Sequence, residues 1–353
     1  MQFGVQFFPN VRPSEKSAMQ YFAESLDVVE AADRLGFRHI RIVEHYFHHY
    51  GGYSPNPIVF LAAASQRSKQ IRLVTGAVLP VFNHPLKLAG EIGMLDAISG
   101  GRLDVGFARA FLPHEFRRFG ISPDESVARF REGLDQIDHL LREEHVSSHG
   151  QFHSYDDVTS MPRPTQLPRP KFYVAVSQTP ASFVWAGTMG YSIMAIPLEP
   201  TMMRGLIASY REAWRAAGHP GDGEVMLAFS MFCHEDGLRA REIAKPLIEA
   251  YFDALVEATA EWDGQSSSRD YPDYDRMAKN LKKQTLETQM ASGSAWIGTP
   301  AEIRDTIERV AQNYGQIEHA SLQVNFTMMP RDEALRSIEL FARDVMPYVV
   351  NAT

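Results

Sequence analysis

Residues 44–49 read Glu-His-Tyr-Phe-His-His and concentrate side chains that can carry protons. An imidazole at His45 can hold or move a proton near neutral pH, as a general acid or base does. The plain alternative is a histidine hydrogen-bonded in a loop. Glu44, His45, His48 and His49 also invite a metal reading. Their order is not HExxH. A hydrolase barrel draws ligands from several strand ends, and residues 3–8 supply none, so no metal is expected. A second group suits an anion. Arg109 closes a short apolar run, and its guanidinium can make paired hydrogen bonds to a phosphate. Ser177 and Ser182 flank a helix start at Thr179-Pro180, where amides and hydroxyls make a phosphate seat. Small residues, Thr75, Gly76 and Ala108, stand at neighbouring strand ends, although a packed alanine explains Ala108 equally simply.

These residues need elements to position them. The run before Thr75 has the length of a buried strand. Leu88, Ile92 and Leu95 then lie on one helical face. That helix opens on Asn83 or His84 with Pro85 in its first turn and stops at Gly100-Gly101. Residues 102–110 begin another buried strand. Strand, helix, strand is one βαβ unit with parallel neighbours, and small residues beside an arginine at its carboxyl edge are where an α/β protein holds an anion.

The same alternation runs along the chain. Strands are expected at 3–8, 39–44, 172–176, 191–196, 225–233 and 320–326. With the two above they make eight, alternating with helices, which favours a closed parallel (β/α)8 TIM barrel over an open sheet. An excursion near 145–170, rich in His, Ser and Pro, should carry a small hairpin. Residues 262–293 form a long irregular segment, usually a functional feature in a compact domain. Thr299 to Glu302 is a capping signal. No GxGxxG follows the first strand.

Composition narrows the class. A length of 353 residues suits one barrel domain with insertions. The net charge of -8 disfavours nucleic-acid binding, which needs a basic face. Cys233 is the single cysteine, so there is neither an internal disulfide nor a cysteine zinc site. The first residues lack the pattern of a signal peptide, and no stretch is apolar enough to span a membrane, so a cytoplasmic protein is expected.

Glu44-His45-Tyr46-Phe47, Val78-Leu79-Pro80 with Asn83-His84-Pro85, Leu95-Asp96 through Arg102, Gly106 to Arg109, Phe116 to Gly120 and Asp344 to Tyr348 occur in an order and spacing that resembles the bacterial luciferase family of flavin-dependent monooxygenases. The resemblance covers most of the chain. It implies a two-component monooxygenase that takes reduced FMN from a separate flavin reductase and oxygenates a small or carrier-bound substrate through a flavin hydroperoxide. His45 falls on the family's active-site histidine. Tyr46 departs from members with a second histidine there. Arg109, Ser177 and Ser182 match phosphate ligands. A second phosphate arginine is replaced by Val127, with Arg129 two residues on. Thr75 and Gly76 match an unusual cis peptide against the flavin ring, and Ala108 a small or thiol residue beside its reactive carbon. His84 and Glu115 lie near the rim, where capping or surface roles serve equally well. Residues 262–293 resemble the lid of a catalytic chain. Phe8, Phe47, Phe111, Met194 and Met231 either line an apolar pocket or belong to the core. The resemblance also implies a homodimer through the helices at 57–68 and 85–99, with Ile58, Leu61, Ala62, Ala89 and Ile92. A deazaflavin-dependent dehydrogenase on the same barrel, a non-catalytic flavin-binding accessory subunit and, more distantly, a metal hydrolase are the alternatives.

Overall fold

A computed structural model of the protein describes residues 1–262, 268–272, 274–326 and 328–350, leaving aside the side chains of 275–278 and 350. Its strands are β1 (Gln2–Phe7), β2 (His39–Ile42), β3 (Arg72–Thr75), β4 (Leu103–Phe107), β5 (Val146–His149), β6 (Ser154–Val158), β7 (Lys171–Ala175), β8 (Ser192–Ala195), β9 (Val225–Cys233), β10 (Ala295–Gly298) and β11 (His319–Gln323). Its helices are α1 (Ala18–Arg34), α2 (Pro57–Arg67), α3 (Pro85–Ile98), α4 (Pro113–Phe119), α5 (Ser126–Arg142), α6 (Pro180–Thr188), α7 (Pro200–Ala216), α8 (Gly237–Thr259), α9 (Tyr274–Leu281), α10 (Leu286–Ser292), α11 (Pro300–Tyr314), α12 (Arg331–Asp344) and α13 (Met346–Val350).

Strands pair in the order β9, β11, β1, β2, β3, β4, β7, β8, all parallel, and β8 pairs again with β9. This closes the expected eight-strand barrel. β10, absent from the sequence reading, pairs with residues 230–233 of β9 beyond the reach of β8. The helix starts follow local chemistry. Asn56 and His84 cap α2 and α3 ahead of a first-turn proline, and Thr299 with Glu302 forms a capping box on α11.

Residues alternate between the lumen and the surrounding helices. His39 on β2 meets Ser321 on β11 across Gly4, whose missing side chain leaves room for the imidazole. Both therefore face inward, and two residues further on so do Arg41 and Gln323. Register sets Ser230, Gln323, Gln6, Arg41 and Val74 side by side on five successive strands. Ile40 and Ile42 face the helices and are fully buried.

The excursion is the antiparallel hairpin β5–β6. The Glu132 carboxylate accepts the amides of Gln151, Phe152 and His153, and Asp96 accepts those of Thr165 and Gln166. The expected lid is partly helical, as α9 and α10, while 263–267 and 273 lie outside the described residues. One expectation about the surface needs correction. Ile58, Leu61, Ala89 and Ile92 are buried within this chain, because their helical face is the one that covers the barrel. The large apolar residues that α2 and α3 leave exposed are Val59, Met94 and Ile98.

Candidate functional site

The carboxyl ends of β2, β3 and β4 bring together most of the residues singled out in the sequence. His45 lies just past β2 and is buried. Its Nδ1 is 3.2 Å from Oε1 of Glu115, a fully buried residue on α4, and the same oxygen accepts the Tyr46 amide at 2.9 Å. A carboxylate on Nδ1 fixes the tautomer and leaves Nε2 as the imidazole's second proton site. The Phe8, Tyr50 and Phe111 rings stand 5.6, 5.4 and 5.9 Å from the imidazole. Glu115 is thus a member of the site rather than a surface residue. Its neighbours Leu112 and Phe116 are also buried, and that apolar flank was the one sequence signal available.

Glu44, also buried, accepts from the Tyr46 hydroxyl at 2.5 Å, Asn83 at 3.0 Å and the Leu79 amide at 3.1 Å. Burial pushes its carboxyl up to about 7 against the opposing pull of those three donors, and Glu115 nearby adds to the rise. Burial and Glu44 together hold the Tyr46 phenol far above its ordinary value. Tyr46 therefore does not reproduce the second imidazole. It is a neutral donor tied to a carboxyl that titrates near neutrality.

His48, His49 and Glu257 offer ligand atoms within 4.8 Å of one another, the geometry of a metal site. Their hydrogen bonds point elsewhere. His48 Nδ1 accepts the Tyr50 amide at 3.1 Å, so its neutral ring carries the proton on Nε2, 3.5 Å from Glu257. Burial, with His49 beside it, pulls this imidazole down to about 4. Arg12 Nη2 stands 3.2 Å from His49 Nε2 and 3.1 Å from Glu257. A guanidinium already fills the cation's role.

Thr75 and Gly76 close β3 as expected. The Thr75 side chain is engaged with Gly106 on β4, donating to its carbonyl and accepting from its amide. The Gly76 amide continues the ladder to Ile42. The cis peptide lies one bond later than expected, between Gly76 and Ala77, after these ladder bonds end. Ala108 is half-buried, with its amide on Val78.

Arg109 follows, and β4 pairs with β7, so the ends carrying Arg109 and Ser177 belong to adjacent strands. Ser177 is exposed and Ser182 half-exposed at the start of α6. The Arg109 guanidinium donates to the carbonyl of Asp270 at 2.9 Å and lies 4.3 Å from the centre of the Tyr271 ring. The Asp270 carboxylate accepts the Val127 amide at 2.9 Å and the Ser126 hydroxyl at 3.3 Å, at the start of α5. Arg129, two residues on from Val127, is engaged elsewhere in this structure. It pairs with Glu125 and covers the Phe152 ring of the hairpin side.

The candidate pocket residues divide. Phe8 and Phe111 surround His45. Met194 lies in the lumen under Gly106. Phe47 is exposed and packs on Phe119. Met231 faces outward to Ser337 of α12, because it is out of phase with the inward Ser230.

Comparison with known proteins gives a consistent picture. Residues 1–316 match the luciferase-like monooxygenase family. The crystal structure of the monooxygenase RslO1 from Streptomyces bottropensis has a TM-score of 0.88 at 44% identity, covering 99% of this chain and 100% of that one. The oxygenating constituent of 3,6-diketocamphane monooxygenase from Pseudomonas putida, determined in complex with FMN, shares the fold with a TM-score of 0.82 at 21% identity over 98% of each chain. The oxygenase component of the flavin-dependent trigonelline monooxygenase of Acinetobacter baylyi is 34% identical over 187 residues, 52% of this chain and 51% of that one. The chain thus spans about half the length of the first curated relatives it matches.

Proposed function

We propose, for a chain that belongs to the luciferase-like monooxygenase family, that it is the oxygenase component of a two-component system using reduced FMN. The observation that carries this reading is the anion seat beside Arg109. The Asp270 carboxylate rests on the Val127 amide and the Ser126 hydroxyl, so the start of α5 already holds a negative group next to the arginine. A phosphate fits that seat. Arg109, Ser177 and Ser182 would hold it, and Thr75, Gly76 and Ala108 would border the ring. Bound reduced flavin supplies the electrons that activate oxygen. His45 manages a proton at Nε2, with Nδ1 held by Glu115. Phe8, Tyr50 and Phe111 keep water from that proton. The segment from 268 onward covers Arg109 and acts as the lid. A separate flavin reductase supplies the cofactor. The chain pairs as a homodimer through Val59, Met94 and Ile98, and a solution mass of one chain at micromolar concentration refutes this pairing.

The test is a fluorescence titration with FMN and riboflavin. FMN binds at micromolar concentration and riboflavin much more weakly. Arg109→Ala weakens FMN by about 1.5–3 kcal/mol, the worth of a charged hydrogen bond, and leaves riboflavin unchanged. Equal affinity of the two flavins for the wild-type protein overturns the phosphate assignment.

A further inference from the structure

The inward layer below the site contains a charge without a counter-charge. Arg41 is buried in the barrel lumen, and Nη2 donates to the Gly76 carbonyl at 3.2 Å. Its Nε and Nη1 have no hydrogen-bond partner, and no ion pair is found for it among the described residues. Gly76 must be glycine here, because a side chain would collide with Arg41 Nε. Gln6 and Gln323, level with Arg41 in the register, are also buried, with Gln6 Oε1 and Gln323 Nε2 unpartnered. Nearer the amino ends of the strands the charges are paired, Arg72 with Asp104 and Lys171 with Glu224. An unpaired buried guanidinium is costly, and burial pulls Arg41 down to about 10. Between this layer and His45 stands an aromatic group. Phe8 lies 4.5 Å from Tyr50 and 5.2 Å from Tyr251, and the Tyr251 phenol interacts electrostatically with Arg41.

We propose that Arg41, with Gln6 and Gln323, is the receptor for an anionic oxygen of the organic substrate, and that this substrate is a planar aromatic acid, phenol or enol. The guanidinium and the Gln323 amide donate to the anionic oxygen, the Gln6 carbonyl accepts from a neighbouring hydroxyl, and the aromatic side chains face the ring. This deepens the monooxygenase reading and rests on it for the identity of the bound molecule as substrate.

The probes are 2-naphthoate and its neutral counterpart 2-naphthamide, titrated by calorimetry into the full chain with and without FMN. The wild-type protein binds the acid at least 10-fold more tightly than the amide. Arg41→Met lowers acid affinity at least 10-fold, leaves amide affinity alone, and melts no lower than wild type because an unpaired charge is gone. Arg41→Lys retains part of the preference. If Arg41→Met does not fold, the Gln6→Leu/Gln323→Leu pair must reduce the same preference. Equal binding of acid and amide, or a preference that survives Arg41→Met, overturns the proposal. So does an Arg41→Met variant that weakens reduced FMN while keeping naphthoate affinity, which assigns the arginine to the flavin ring. A naphthoate preference in a protein with no affinity for FMN supports the receptor and overturns the flavin reading alone.

Discussion

Replacing Asp270 with alanine separates a seat that waits for phosphate from one that is already filled. The Asp270 carboxylate is largely buried and accepts two hydrogen bonds at the start of α5, while its carbonyl takes Arg109. Arg109 and the start of α5 are therefore both engaged by one residue, while Ser177, ahead of α6, and Ser182, on it, are not. Removing the carboxylate costs the free protein a helix-start contact, about 1 kcal/mol, and lowers the melting temperature of a chain of this length by about 1–2 °C. The same change removes a competitor of the phosphate. If the engaged form predominates, relieving about 1.4 kcal/mol of its advantage raises FMN affinity about tenfold. Riboflavin has no phosphate to exchange with the carboxylate, so its affinity changes less. The two effects have opposite signs, a less stable protein that binds FMN more tightly, and a general loss of structure cannot produce both. Flavin fluorescence titration with thermal melts of wild type, Asp270→Ala and Asp270→Asn is the assay. Weaker FMN binding by Asp270→Ala, or an unchanged ratio of FMN to riboflavin affinity, refutes the reasoning and shows that the segment closes over bound flavin instead of yielding to it.

Two further outcomes follow from the proton network. His45→Ala should bind FMN within about threefold of wild type, since no phosphate contact is lost, while oxygenation of substrate falls 10²-fold or more and reduced flavin reoxidises with release of hydrogen peroxide; a peroxide assay that matches wild type returns His45 to a structural role. Glu115→Gln keeps an acceptor for the Tyr46 amide but puts an amide in place of the carboxylate beside Nδ1, so turnover falls about tenfold while FMN affinity holds; unchanged turnover makes Glu115 purely structural. Glu44 predicts a stability trend. Its folded value, about 7, lies above the ordinary 4.5, so the native protein keeps a proton that the unfolded chain releases. The stabilisation is complete below about pH 4.5 and is lost as pH rises through about 7, a change on the order of 3 kcal/mol. Urea midpoints between pH 5 and 7 should fall less steeply with rising pH in Glu44→Gln than in wild type, and parallel slopes would contradict the assignment.

The barrel was legible because its strands are short apolar runs between capped helices, and turn residues mark the joints. His84 before Pro85 and Thr299 with Glu302 behave as their local chemistry dictates. β10 is not legible because its four residues, Ala-Trp-Ile-Gly, are separated from α10 by two residues and carry too little pattern to separate a strand from a turn. α4 was hidden for a similar reason, being seven residues long with Arg117 and Arg118 in its last turn. The site was legible where a residue's position at a strand end decides its role, as with His45 and Arg109. It was not legible where the role depends on which face of a strand is used. A strand buried on both sides shows no polar–apolar alternation, so Met231 could be assigned to the pocket although it faces α12. Glu115 needed the packing of α4 against the rim, a contact between residues 70 positions apart.

The phase of β2 connects the fold to the reaction. Ile40 and Ile42, turned outward, hold the barrel against its helices. His39 and Arg41, turned inward, carry the polar groups, and His45 follows where the strand ends. One strand therefore supplies packing, an unpaired cation and a proton carrier, kept apart by its two-residue period. A one-residue slip would put isoleucines in the lumen and a guanidinium among the helix side chains, so register is strongly specified. That specification lets the lumen hold an unsatisfied Arg41 without unfolding, because the outward isoleucines and the ladders to β1 and β3 bear the stability. Inward positions above His39 can then change with the substrate while the barrel stays the same. Arg41, Gln6 and Gln323 are accordingly the positions at which exchange should alter substrate choice with least effect on folding.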